Sequence, residues 1–170
     1  MTFHTIVKNW CESYTYMQHN PKKGNLRFFL ADTIEDVKNM PKNIATKFTP
    51  CVVMENGVEG DITDGKITRI YPVYFFVRAK QQANPDALMV AYEEAWRHAQ
   101  NFYSWLYNMH ENDESKDRDY SSIDFENELY VQPIQALEDG WVAVLIQFTR
   151  LEPITLCIDP ALYISPPNDT

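Results

Sequence analysis

The sequence predicts an α+β protein: a mostly antiparallel sheet on which a long helix at about residues 85–110 and an N-terminal helix pack. The long helix is predicted because apolar residues, among them Ala91, Ala95 and Phe102, recur at steps of three and four. Residues 66–79 carry apolar side chains on both faces, which is typical of a strand covered on both sides. Antiparallel strands with helices gathered on one face define the α+β class.

The first part of the chain alternates short helices and strands. Residues 2–19 are predicted to be a helix, because their apolar side chains fall on one face. Strands are predicted at 26–31 and 48–54, with a short helix at 34–40 that Pro41 closes. The stretch 56–66 is expected to be an acidic loop or a short hairpin tip, since its Gly and Asn residues tolerate the positive φ angles of turns.

The central strand leads directly into the long helix. Pro72 lies inside the strand at 66–79, and because proline lacks an N–H donor it predicts a bulge or an edge position. Asn84 is a good N-cap for the helix, Pro85 suits its first position, and Asp86 is favoured at its positive end. These three residues place the expected start of the helix at residue 85.

The last third is predicted to hold a loop, a hairpin and a tail. Residues 111–128 are acidic and lack any hydrophobic period, which is typical of a surface loop. Strands are predicted at 128–137 and 141–151, because Asp-Gly between two apolar runs is typical of a two-residue hairpin turn. Residues 153–170 form a Pro-rich C-terminal tail, with one short strand expected at 154–158.

Composition narrows the class of protein. A chain of 170 residues is expected to fold as a single domain, here residues 1–152. The net charge of −9 argues against binding nucleic acid through a basic patch and against docking on anionic lipid. It is compatible with plain solubility, and with a channel through which DNA slides without sticking. Three widely spaced cysteines, no signal peptide and no membrane-length apolar run favour a protein made in a cytosol.

No residue pattern indicates a catalytic site, a cofactor site or a metal site. Glu94 and His98 lie one helical turn apart and could face one metal ion, but no second ligand pair supports them, which favours a surface Glu–His pair. Asp117 and Glu128 are spaced like the first and last ligands of a calcium loop. Because Ser122 stands where that loop requires glycine, we interpret the segment as an acidic loop with at most weak cation binding.

A second apolar stripe on the long helix is aromatic. It is consistent with a second layer of core, with an interface between subunits or with a ligand pocket. The strand at 66–79, apolar on both faces, is either central or meets another subunit on one face. The candidate subunit interface therefore combines helix and strand residues, namely Tyr92, Trp96, Tyr103, Tyr107, Tyr71 and Phe75.

This order of elements resembles that of the tail-terminator and neck-ring proteins of tailed bacteriophages, of the minor tail protein U type. Those proteins have an N-terminal helix, an apolar strand, a long strand that enters a helix, and a final hairpin strand. The resemblance covers about residues 1–152 and rests on element order and strand texture rather than on a motif. This chain departs from it in the acidic loop at 111–128 and the Pro-rich tail. The matching stretches are 3–17, 50–54, 69–79, 85–109 and 129–151.

The resemblance implies a virion structural protein without catalysis or cofactor, made in the host cytoplasm, that forms a ring at the tail end or neck. Its partners would be copies of itself and neighbouring tail or neck proteins, with DNA passing through an acidic lumen rather than bound, and no membrane. Two other functions stay open. One is a small-ligand-binding domain or unrecognised enzyme, with a pocket near Trp96, Tyr103 and Tyr74. The other is an acidic interaction or inhibitor module that mimics nucleic acid.

Overall fold

A computed structural model describes residues 2–63, 66–81, 84–112, 120, 122–125 and 130–153, without the side chains of 58–63, 135–138 and 153. These residues form an α+β fold, as predicted, with three α-helices and one seven-stranded sheet. The helices are α1 (Phe3–Ser13), α2 (Ile34–Asn43) and α3 (Pro85–Glu111). The strands are β1 (Phe28–Ala31), β2 (Cys51–Glu55), β3 (Val58–Thr63), β4 (Lys66–Arg78), β5 (Ile123–Asp124), β6 (Tyr130–Leu137) and β7 (Trp141–Pro153).

The sheet is built around the long pair β4 and β7. These two strands pair along their whole length, from Lys66 opposite Pro153 to Arg78 opposite Trp141. Beyond β4 lie β2 and then β1, with β3 on the same side of β4, while β5 and β6 pair with the far side of β7. Only β1 and β2 run parallel among the described pairs, so the prediction of a mostly antiparallel sheet is confirmed. As a result, β1 and β6 lie at opposite edges of the sheet that the described residues form.

Pro72 corrects one expectation about β4. The strand is central, not an edge, because it pairs with β7 on one side and with β2 and β3 on the other. The registers of β2 and β3 nevertheless include no partner for Tyr71 or Pro72, which lie at the junction between those two strands. Proline is tolerated inside this central strand because it falls where the neighbouring chain passes from β2 to β3.

Three predicted segments differ from the structure. The stretch 56–66 contains β3, which forms a hairpin with β4, so the hairpin alternative is right and the plain loop is wrong. The helix expected at 2–19 ends at Ser13, where the Tyr14 N–H donates to the Trp10 carbonyl. Pro41 does not close α2, because its buried ring lies inside a helix that continues to Asn43. Burial of that ring offsets the one backbone hydrogen bond that proline removes.

The start of α3 is as predicted, but the hairpin turn is longer than the expected two residues, because Leu137 pairs with Trp141 across the three residues Glu138–Gly140. The Asn84 side chain accepts the Asp86 N–H at 2.9 Å, which caps a helix of 27 residues. Asp139 and Gly140 both have positive φ, 61° and 72°, which a tight hairpin turn between twisted strands requires. The acidic loop at 111–128 lies largely outside the described residues, which add β5 within it, and the strand expected at 154–158 lies wholly outside them.

Each face of the sheet has its own core. On one face, α1 and α3 cover β4 and β7, and the Phe102 ring lies 5.0 Å from Trp10 and 5.4 Å from Phe148. On the other face, α2 packs near Tyr74 and Trp141. Tyr74 is therefore on the opposite side of the sheet from α3, and the pocket expected to combine it with α3 aromatic residues does not exist in that form.

Candidate functional site

An apolar groove runs between α3 and the edge strand β6. It contains two successive cavities that open to solvent, and we call the whole feature the α3–β6 groove. The first cavity has a volume of about 460 Å³ and is lined by Trp96, Gln100, Tyr103, Ser104, Val131 and Ile146. The second has a volume of about 430 Å³ and is lined by Pro85, Leu88, Met89, Tyr92, Pro133, Ile134 and Val142. The aromatic stripe of α3 thus forms one wall and β6 forms the other.

Strand β6 makes this groove accessible because it is an edge strand. Among the described residues its strand partner is β7 alone, on one side. Its sequence YVQPIQAL carries no charge, and Tyr130 and Val131 are 50% and 37% exposed. A long uncharged edge strand tends to pair with another segment, and Pro133 is the one residue here that blunts the edge. The groove and the strand edge together offer an unusually apolar surface for a protein of net charge −9.

The four aromatic residues predicted on α3 do lie along one side of the helix, but they are not equally accessible. Tyr107 is 41% exposed, whereas Tyr92, Trp96 and Tyr103 are half-buried. Tyr103 and Tyr107 stack on each other, and Phe125 meets their rings edge-on at 5.6 Å and 5.4 Å. Phe125 therefore packs against the C-terminal end of the stripe, although Tyr107 there remains the most exposed of the four residues. The other three line the groove.

Tyr71 and Phe75 require a correction, because the structure buries both under α1. Tyr71 is 8% exposed and stacks on Phe3 at 4.8 Å, and Phe75 is 1% exposed and meets the Trp10 ring edge-on at 6.0 Å. Their side chains are core residues of the single chain, so they are not at the surface where a neighbouring subunit would bind. The sequence showed that this face of β4 must be covered, but it did not show that α1 is the cover.

The Tyr71 hydroxyl lies in a polar cluster that links β4 to β7. It donates to Glu152 at 2.7 Å, and the same carboxylate lies 3.3 Å from Arg69 Nε and 3.7 Å from Arg150 Nη1. Burial, reinforced by this hydrogen bond, raises the pKa of Tyr71 to about 12. The tyrosine therefore stays neutral at physiological pH and acts as a fixed hydrogen-bond donor.

His98 is fully buried, which corrects the expectation of a surface Glu–His pair. Its Nδ1 lies 3.0 Å from the Tyr14 hydroxyl, and its Nε2 lies 3.6 Å from Glu94 Oε1, beyond hydrogen-bonding distance. Burial lowers the pKa of His98, although the Glu94 carboxylate opposes that shift, so the neutral ring is favoured. With its proton on Nε2, the ring accepts from Tyr14 and turns its N–H toward Glu94.

The described residues contain no group of three or more His, Cys, Asp or Glu side chains placed to hold a metal ion. Asp117 and Glu128, the ends of the stretch that imitates a calcium loop, lie outside those residues.

Sequence reasoning missed several exposed apolar residues, among them two on α3 and two near β1. Met89 and Val90 on α3 are 60% and 63% exposed, and Leu30 and Ile34 at the β1 edge are 46% exposed each. For Met89 a signal existed, since it continues the aromatic stripe by one helical turn before Tyr92 and Trp96. The exposure of Leu30 and Ile34 depends on β1 being an edge strand, which no local pattern reveals.

The fold and the groove define an α+β protein with apolar surface at both edges of its sheet. No protein-family model matches the sequence, and no curated protein matches it either. None of the described helices is both long and apolar enough to cross a membrane.

Proposed function

We propose that this chain is a non-enzymatic structural protein of a tailed-phage virion, which forms a ring at the tail end or at the neck. The observation that carries the proposal is a pair of different apolar patches at opposite edges of the sheet. We define the β1 patch as the exposed residues Leu30 of β1 and Ile34 of α2, and the β6 patch as Met89 of α3 with Tyr130 and Val131, which are successive residues of β6 and therefore point to opposite faces of the sheet. All five side chains are at least 37% exposed.

Two different patches on one subunit suit a head-to-tail contact. When one patch of a subunit binds the other patch of the next, the repeated rotation either closes into a ring or continues as a filament. The strand order β1-β2-β4-β7, with β6 beyond β7, puts the two patches on opposite flanks, so that one subunit can contact two neighbours at once. A protein with a single patch would instead favour a symmetric dimer.

Element order and charge support the same function. The resemblance to tail-terminator and neck-ring proteins lies in an N-terminal helix, a long strand leading into a long helix, and a final hairpin. The net charge of −9 suits a ring through which DNA passes without sticking. In this proposal the protein is made in the host cytoplasm and resides in the virion. Its partners are other copies of itself and adjoining tail or neck proteins.

The first test introduces one charge into each patch and measures assembly. Ile34 is the first residue of α2, where an acidic side chain is favoured, and Met89 is 60% exposed on α3, so Ile34→Glu and Met89→Glu should leave the fold intact. Asn101→Glu, at an exposed position of α3, is the matched control. Mass is measured by light scattering over a concentration series, and the most concentrated samples are viewed by negative-stain microscopy.

We expect rings with a central hole from the unmodified chain and from Asn101→Glu, and monomers from each patch variant alone. An equal mixture of the two patch variants should give dimers and nothing larger, because each keeps one intact patch and a single productive contact remains between them. A strict monomer at high concentration for the unmodified chain would refute the proposal. Equal assembly of all the variants would refute the assignment of the patches.

One observation favours a second candidate, a small-ligand-binding domain. The first cavity, at about 460 Å³, is in the size range of small-molecule sites and has Trp96 and Tyr103 in its wall. An apolar fluorescent probe that binds a strictly monomeric chain, and loses its binding in Trp96→Ala, would favour this function over the ring.

A further inference from the structure

The segment that follows β7 has a composition at odds with the surface of the protein. Residues 154–170 read ITLCIDPALYISPPNDT and lie outside the described residues. In the stretch 154–165 Asp159 is the single charged residue, and the stretch contains two apolar runs on either side of Asp159-Pro160. Apolar runs of this kind are unfavourable in water and are normally covered by another surface.

The α3–β6 groove is the described surface that matches this segment in chemistry. Both are apolar, and the described side chains of β6 carry no charge. The groove also lies on the far side of β7, the strand that precedes the segment, where β5 pairs beside Thr149 and Arg150 and β6 pairs from Gln147 to Trp141. The other open edge of comparable polarity, at β1, is separated from β7 by β2 and β4.

The register of β7 determines which residues of the segment reach the first cavity. Ile146, in the wall of that cavity, lies seven residues before Pro153 on β7, which is a distance of roughly 23 Å along the strand. The outer edge of β6 is displaced sideways by two strand spacings, roughly 10 Å. A chain that turns straight back after Pro153 therefore needs about eight extended residues to arrive there. Leu162 is the first apolar residue beyond that length.

We propose that residues 161–164 of this segment bind in the first cavity of their own chain, with Leu162 and Ile164 against Trp96 and Val131. Tethering favours the same chain over a second copy, because a short linker presents the segment at an effective concentration in the millimolar range. The proposal does not rest on the ring. Met89, in the β6 patch, lies in the wall of the second cavity, whereas Val131 belongs to both the β6 patch and the first cavity, so the segment would share that one residue with a neighbouring subunit.

Disulfide trapping tests the proposal directly in the full-length monomer. The variant carries Val131→Cys and Ile164→Cys, with Cys157→Ser to remove the native thiol of the segment. Cys11 and Cys51 remain, because both are buried. The matched control keeps Ile164→Cys and moves the second cysteine to the opposite edge of the sheet, as Leu30→Cys. Oxidation at low protein concentration is followed by non-reducing electrophoresis and peptide mapping.

We expect an intrachain cross-link at Val131 that forms more than about tenfold faster than the control cross-link, and whose rate does not change on dilution. Equal rates for the two pairs would overturn the proposal, because the segment would then have no preferred position. A covalent dimer whose yield falls on dilution would also overturn it, since the segment would be binding a second copy. Because the rates are measured on monomers, either outcome leaves the ring proposal to its own test.

A second measurement needs no engineered cysteines. Leu162→Glu should shift tryptophan emission to longer wavelength, because withdrawal of the segment exposes Trp96 to water. The shift should be lost when the same change is made in Trp96→Phe, and Asn168→Glu, outside the apolar runs, should leave the emission unchanged. An unshifted emission in Leu162→Glu would contradict docking at this cavity.

Discussion

Gly57→Ala should destabilise the protein, although glycine-to-alanine changes at compatible sites usually stabilise. Gly57 lies between β2 and β3, next to the buried ring of Tyr71. A Cβ atom placed there would be 2.5 Å from Tyr71 Cε1 and 2.9 Å from its Cδ1, closer than real Cβ contacts come. Either the Tyr71 ring or the β2–β3 connection must therefore move.

The Tyr71 ring has little freedom to move away. Its face stacks on Phe3 at 4.8 Å, and its hydroxyl donates to Glu152 at 2.7 Å. Overpacking of this kind costs about 1–3 kcal/mol, whereas the smaller entropy of the unfolded alanine chain returns about 0.4–1 kcal/mol. The cost of the clash is larger than the gain from the unfolded chain, so the free energy of unfolding should fall by about 1–2 kcal/mol. For a domain of this size that lowers Tm by about 3–6 °C.

Urea unfolding followed by circular dichroism measures this loss, and a double-mutant cycle tests its cause. In a Tyr71→Leu background the ring that opposes the new methyl group is gone, so Gly57→Ala should be neutral or slightly stabilising there. Gly57→Ala that stabilises the unmodified protein would refute the close contact between Gly57 and Tyr71. A loss of the same size in both backgrounds would place its origin in the backbone rather than in the ring.

The remaining predictions concern the core, pH and thiol reactivity. Phe102→Ala should cost about 3–5 kcal/mol in urea unfolding, because its ring is fully buried among aromatic neighbours. Met109→Ala should cost far less, because Met109 is 37% exposed near the end of the same helix. Burial holds the pKa of His98 in the folded protein below its ordinary value, so the free energy of unfolding should be highest at neutral pH and fall as the pH drops below about 6.5. Urea unfolding at about pH 7.5 and 5.5 measures this fall, which should be smaller in His98→Gln. Burial raises the pKa of Cys51 to about 12 and that of Cys11 well above its ordinary value, so both thiols should resist alkylation in the native state and react after unfolding, as peptide mass mapping would show.

Local sequence determined most elements and several of their ends. Apolar residues at steps of three and four predicted the position of α3. Asn84 and Pro85 predicted its first turn, because the start of a helix depends on the few residues that satisfy its free N–H groups. Asp139-Gly140 placed the turn of the last hairpin, because both residues tolerate positive φ. These outcomes depend on neighbours a few residues away, which the sequence shows directly.

Only the tertiary structure decided which strands pair and which element covers each apolar face. The sequence showed that both faces of β4 are apolar. It did not show whether α1 or another subunit covers Tyr71 and Phe75, because the hydrophobic effect depends on the apolar area buried and not on which surface buries it. His98 has the same spacing to Glu94 whether it is exposed or buried, and its burial depends on the end of α1 lying beside α3. The edges at β1 and β6, and the groove beside β6, follow from which strands pair across long sequence separations. The residue pattern along each strand leaves that choice open, because it specifies an apolar face but not the partner that covers it.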